Sequence, residues 1–199
     1  GQAMARGRRR ELDEAKALTG ARYLCWEKGL SETPLDDLAA AMNMNRPSIY
    51  NAFGNKDDIY RKSLARFCGQ LDNGLRETLE ASPNIRPGLN AFFEQAIEMY
   101  CGNSPPMGCL MICTAPSEAL SHPEVGKDLK ELISRLDKGF TKRLERAQRD
   151  GELSKEAQPK LVAKLLQATL QTLALRARSG ESKASLRKLA RYAVDALVR

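Results

Sequence analysis

The side chains with the most chemistry to offer are concentrated in one short stretch. From Thr33 to Ile59 the chain reads TPLDDLAAAMNMNRPSIYNAFGNKDDI. Asn45, Arg46, Ser48, Asn51 and Lys56 are types that hydrogen-bond base edges or phosphates, not types that break bonds. Arg46 can offer two N–H donors to a guanine, a discrimination of about 1–3 kcal/mol, with a phosphate contact or a solvated position as its other readings. Elsewhere no catalytic constellation assembles. His122 is the only histidine, and there is neither a nucleophile motif nor a phosphate-cradling glycine loop. The five cysteines, Cys25, Cys68, Cys101, Cys109 and Cys113, include no Cys-x-x-Cys pair for zinc. The expectation is a binding protein and not an enzyme, with no catalytic residue, cofactor or metal.

Such side chains act only if a backbone presents them. Thr33 followed by Pro34, with Asp36 completing a capping-box pattern, predicts a helix start. Leu35, Leu38, Ala39 and Met42 then share one face. Asn43 ends the helix, since asparagine tolerates the left-handed conformation. Asn45 restarts it as an N-cap, with Pro47 in the first turn and Ile49 and Phe53 turned inward. A short helix, a tight turn and a second short helix make a helix-turn-helix, whose second helix enters the major groove. Asn45, Arg46, Pro47 and Ser48 fall at its start, where side chains reach base edges.

Helical periodicity continues along the chain and no strand-like alternation interrupts it. Tyr60, Leu64, Phe67, Leu71 and Leu75 form one stripe, closed by the loop from Ser82-Pro83 to Pro87-Gly88. Leu89 to Tyr100 predicts another helix, stopped by Gly102-Asn103-Ser104-Pro105-Pro106. Gly108 to Leu120 reads as a short apolar helix. Val125, Leu129, Leu132, Leu136, Phe140, Leu144 and Ala147 mark a long one ending at Asp150-Gly151. Ala157 to Arg178 and Ser182 to Val198 complete the set. The former has two adjacent apolar stripes, more than a single neighbour needs, so either a second chain covers it or it is central in its own subunit.

Composition agrees with a globular protein: 199 residues, 42% hydrophobic and 29% charged. No apolar run is long enough to span a bilayer, and the N-terminal GQAMARGRRR lacks the apolar core of a secretory signal, which points to the cytoplasm. The odd number of cysteines argues against a disulfide framework. A net charge of +7 suits a nucleic-acid partner. Its distribution is less decisive, because Arg6, Arg8, Arg9 and Arg10 form a basic arm while Glu11 to Lys62 is nearly balanced.

Asp37-Leu38-Ala39, the turn at Asn43, then Ser48-Ile49-Tyr50, Phe53-Gly54 and Lys56 resemble the DNA-binding signature of the TetR family of regulators. The family's preceding helix is visible in Ala21-Arg22-Tyr23-Leu24-Cys25-Trp26-Glu27-Lys28-Gly29-Leu30. This likeness covers roughly a quarter of the chain. A segment from Gly108-Cys109-Leu110 through Glu118 resembles one subset of the family. Two positions depart from the pattern: Asn43 stands where glycine is usual, and Cys25 where phenylalanine is common.

The resemblance implies an all-α fold of about nine helices. A three-helix helix-turn-helix domain (1–55, with the basic arm) would precede a larger ligand-sensing and dimerisation domain (56–199). It implies phosphate contacts from Tyr50 and Asn51, and Lys56 at the next helix start suits a phosphate too. Thr33 is a further candidate for the DNA backbone, and the Arg6 to Arg10 arm either reaches a minor groove or stays disordered.

In the larger domain, Phe67, Leu71, Phe92, Phe93, Met99 and Tyr100, with Met107, Cys109, Met111 and Cys113, are candidates for an apolar effector pocket, or simply core. Cys109 and Cys113, four apart on one face, are candidate oxidant or electrophile sensors or plain buried residues. Leu161, Leu165, Leu166, Thr169 and Leu173, followed by Leu186, Leu189, Ala193 and Leu197, are candidates for a homodimer interface. The expected function is a sequence-specific transcriptional regulator that represses until a small-molecule inducer, of oxidant or electrophile type among others, releases it from a palindromic operator. A helical protein-interaction module that keeps the motif without specific DNA binding is the alternative.

Overall fold

The punctuation of the sequence sets most of the helix ends. The computed structural model describes residues 1–199 and contains nine α-helices and no strand: α1 (Gln2–Lys28), α2 (Leu35–Met42), α3 (Arg46–Phe53), α4 (Lys56–Gly74), α5 (Ile85–Cys101), α6 (Leu110–Glu118), α7 (Pro123–Arg149), α8 (Pro159–Arg178) and α9 (Lys183–Leu197). Pro123 opens α7, and Gly151, at φ 79°, lies just beyond its end. Ser182 caps α9 by accepting the Ser185 amide at 3.2 Å. The all-α expectation and the helix count agree with this architecture.

Two stretches differ from expectation. The basic arm is helical, forming the first turns of a 27-residue α1. Its alanine, arginine, leucine and glutamate residues all favour helix, and nothing in the run opposes it apart from Gly7. At the other end of α4 the chain continues as a π-helical segment, Leu75–Glu80. Arg143 and Arg146 of α7 serve the carbonyls near its end: Arg143 Nε donates to Leu79 O at 3.0 Å and Arg146 Nη1 to Glu80 O at 3.0 Å. Those oxygens would otherwise lack the partners that a continuing helix supplies.

A connected core of 45 buried apolar residues runs from Ala17 to Val198. Trp26 meets Phe67 edge-on at 5.1 Å, which joins α1 to α4 inside that core. Polar ties lie along the same seam. Tyr60 of α4 and Thr114 of α6 share a 2.6 Å hydrogen bond. Glu118, at the end of α6, accepts the Ser31 amide at 3.0 Å and its hydroxyl at 2.5 Å. Arg178, at the end of α8, donates to Trp26 O (2.9 Å), Glu27 O (3.0 Å) and Met107 O (3.0 Å).

Candidate nucleic-acid interface

The reading head is assembled from backbone conformations that its residues are suited to adopt. Asn43 adopts the left-handed conformation (φ 53°, ψ 46°) and ends α2. The Met44 amide then returns to Ala39 O at 3.0 Å, which turns the chain sharply. Asn45 caps α3 by accepting the Ser48 amide at 2.9 Å, and Pro47 sits in the first turn without needing a donor. Leu38, Met42, Ile49 and Phe53 are buried between α2, α3 and their neighbours. Because these inward positions recur every three to four residues, the intervening ones must face out. Asn45, Arg46, Pro47, Ser48, Tyr50 and Asn51 are all exposed.

Tyr50, at 53% exposure, is available to a ligand and is not a core residue. Lys56 is half-buried at the first position of α4. There Asn55 and Asp58 form a reciprocal capping box, with bonds of 2.9 and 3.0 Å. That box fixes where α4 begins relative to α3.

Arg46 is not a free cation. Its Nε and Nη2 donate to Asp36 Oδ1 at 2.9 and 2.5 Å across the mouth of the α2–α3 turn. Both side chains are more than half exposed, and such surface pairs are worth only about 0–1 kcal/mol. Asp36, expected to complete a cap, instead holds the leading base-reading candidate.

Thr33 needs correcting. It is buried, its hydroxyl donates to Gly29 O, and its amide is taken by Leu30 O at 3.3 Å. It therefore serves the end of α1, neither capping α2, whose N-cap is Pro34, nor reaching a phosphate.

A feature absent from the sequence expectations is how closely α1 and α2 cross. A Cβ on Gly20 would stand 2.2 Å from Ala41 O, so only glycine fits at that point. The crossing also sets Arg6, Arg9, Arg10 and Lys16 of α1 along one wall of a groove of about 960 Å³ whose other wall includes Ser48 and Asn51. Thr19-Gly20 in the middle of a helical run was the available signal.

The candidate effector residues pack as core. Phe67, Leu71, Phe92, Phe93, Tyr100, Cys109 and Met111 are buried, while Met99, Met107 and Cys113 are half-buried. Phe92 meets Phe93 at 5.9 Å and Phe140 at 5.5 Å, both edge-on, so the rings fill the space they were expected to line. Met111 alone of the ten borders the 400 Å³ cleft between α4 and α7. Burial pushes the Cys109 thiol up to about 12 and raises that of Cys113 as well.

The dimer candidates divide by face. Leu161 and Leu165 are each 52% exposed, and Leu189, Ala193 and Leu197 are half-buried. Leu166, Thr169, Leu173 and Leu186 are buried within their own subunit, so they are corrected from interface to core. Leu175, also 52% exposed, and Tyr192, at 77%, were missed. Positions 161, 165, 168, 172 and 175 step by four and three, which lays them along one side of α8.

Comparison with known proteins extends the likeness from the reading head to the whole chain. A model described as "Bacterial regulatory proteins, tetR family" matches residues 17–62, and one described as "Tetracyclin repressor-like, C-terminal domain" matches residues 86–193. The Escherichia coli transcriptional repressor ComR is 26% identical over 187 residues, covering 94% of this chain and 89% of ComR. The uncharacterised Bacillus subtilis regulator YezE is 25% identical over 150 residues, or 75% of this chain and 77% of its own. Among solved structures, a TetR-family regulator from Agrobacterium tumefaciens superposes with a TM-score of 0.83 at 18% identity, covering 95% of this chain and 99% of that one. A cysteine-substituted CifR bound to a 26-base-pair operator superposes with a TM-score of 0.80 at 24% identity, covering 92% and 95%. With its second half matched as well as its reading head, the chain belongs to the TetR family of bacterial transcriptional regulators, which bind DNA and are not enzymes.

Proposed function

We propose that this regulator is a homodimeric repressor that reads a palindromic operator through α3 and leaves it when a small molecule binds the larger domain. The observation that carries the reading is the exposed face of α3. Asn45, Arg46, Ser48, Tyr50 and Asn51 present donors and acceptors, with Pro47 exposed among them, on a capped helix whose opposite face is packed. Arg46 reads base edges, while Tyr50, Asn51 and Lys56 hold the phosphates on either side. Arg6, Arg9, Arg10 and Lys16 of α1 add cations beside Ser48 and Asn51, on a wall that also carries Asp13 and Glu14, the latter paired with Arg10 at 3.4 Å. ComR is named a repressor and CifR was solved on an operator, which favours the same role here.

The division of labour falls between residues 1–55 and 56–199, at the capping box that starts α4. A dimer follows from the exposed leucines of α8, because one short helix reads too few bases for genomic specificity. Burial raises the thiols of both Cys109 and Cys113, which opposes thiolate formation and favours an inducer held by non-covalent contacts over an oxidant or electrophile that reacts at either cysteine. No helix is long and apolar enough to cross a membrane, and a cytoplasmic location suits a protein that must reach the chromosome.

Sequencing genomic fragments retained by the purified protein, followed by gel shift on the recovered motif, tests the reading. A short inverted repeat bound with steep salt dependence is expected. Sequence-indifferent binding, or none, would favour the protein-interaction module.

A further inference from the structure

Helix physics alone does not account for an arginine at position 46. It is the first residue of α3, and no acid lies in that helix's first turn. A cation there faces the positive end of the helix dipole. Its carboxylate partner comes from across the turn: Asp36 is the second residue of α2, where the same dipole favours an anion. Both side chains are more than half exposed. A carboxylate beside a surface that approaches phosphates weakens binding to every sequence, a cost that is offset where the carboxylate discriminates between sequences.

The bonds inside the pair use only part of each group. Arg46 Nε and Nη2 both donate to Asp36 Oδ1, at 2.9 and 2.5 Å, which occupies the side edge of the guanidinium. Its end edge, Nη1 with the second hydrogen of Nη2, donates to nothing in the protein, and Asp36 Oδ2 accepts nothing. That end edge can grip guanine O6 and N7. Two planar groups joined through one oxygen therefore offer two donors and one acceptor together, on the exposed side of the α2–α3 turn.

We propose that Asp36 is a specificity-determining residue that reads DNA jointly with Arg46: Arg46 takes a guanine, and Asp36 Oδ2 accepts the exocyclic amino group of the adjoining base, cytosine N4 or adenine N6. The inference rests on the operator-binding role given above to α3 and names the bases it selects. In the major groove, adenine and cytosine show an amino donor where guanine and thymine show a carbonyl acceptor. An ionised carboxylate can only accept, so it attracts the first two bases and repels the others. The pair thus selects a guanine flanked by an amino base and rejects one flanked by a keto base. Phosphate contacts cannot make that distinction.

Duplexes with a randomised core, selected by the full-length protein and then measured by gel shift, test the pair. The wild-type motif should contain in each half-site a guanine whose preference Arg46→Ala removes, with adenine or cytosine beside it. Changing that neighbour from cytosine to thymine, or from adenine to guanine, should weaken wild-type binding about tenfold. Removing the amino group alone, with 2-pyrimidinone for cytosine or unsubstituted purine for adenine, should weaken it severalfold. Asp36→Asn, whose amide both donates and accepts, and Asp36→Ala, which does neither, should still select the guanine but bind the amino and keto operators within about twofold of one another. The proposal is overturned if the wild-type protein shows no amino preference beside that guanine, or if both variants keep the wild-type preference. If the wild-type protein selects no inverted repeat, the regulator reading falls and this one with it. An inverted repeat whose flanking preference does not depend on residue 36 removes only the joint reading.

Discussion

Arg46 and Asp36 set a condition on operator binding that neither residue sets alone. The carboxylate engages two of the guanidinium's donors and lies beside a face that must approach phosphates. Removing its charge should both release Arg46 and lessen repulsion, so Asp36→Asn is expected to tighten operator binding severalfold, about 1 kcal/mol. Arg46→Ala should weaken it and relax the preference at one base position, measured by gel shift on single-base operator variants. Glu118 makes the complementary case inside the protein. Burial alone would raise its pKa, but the Ser31 hydroxyl and amide, with His122 nearby, bring it below the ordinary 4.5. A folded value below the unfolded one means that the stabilisation is complete above about 4.5 and is lost as the pH falls through the lower folded value. Glu118→Ala, which leaves the Ser31 amide without an acceptor, should cost about 1–3 kcal/mol at neutral pH and much less in acid, read from urea midpoints. The outward residues of α3 were legible beforehand because helical period alone separates them from Ile49 and Phe53. Thr33 was not, since its hydroxyl had local partners on both sides, and it donates to Gly29 O four residues back at the end of α1 instead of capping α2.

At the scale of the elements, the helix ends marked by asparagine, proline and glycine could be read directly. Asn43, Asn45, Pro123 and Ser182 act through bonds within a few residues of themselves. The contacts between elements could not be read this way. Gly20 carries no mark in the sequence beyond glycine's low helix propensity, yet the backbone of α2 lies where its side chain would be. Gly20→Ala would raise helix propensity while forcing α1 and α2 apart. The steric cost should win, with a net destabilisation of about 1–3 kcal/mol measured by thermal or urea unfolding. The π-segment after α4 was equally hidden, because its carbonyls rely on Arg143 and Arg146 from more than sixty residues away. Helical propensity carries no information about such partners.

For the whole molecule, the unsettled matter was which apolar stripe of α8 faces inward. Leu165 and Leu166 are indistinguishable as residues, but the first is half exposed and the second is sealed against its own subunit. Sequence gave the two stripes; the packing of α7 and α9 around α8 selects between them. Leu165→Glu should therefore leave the fold intact, yield monomers in sedimentation, and lower operator affinity by about tenfold or more through loss of the second half-site. Arg178 gives this arrangement a metrical consequence. It clamps the end of α8 onto the last carbonyls of α1, so in the proposed dimer the seam between subunits and the reading head belong to one strut. Arg178→Ala would leave each head folded and each pair intact, yet let the heads swing. Operators lengthened or shortened by a single base pair at their centre, nearly silent for the native protein, should then compete almost as well as the original: the clamp acts as a ruler.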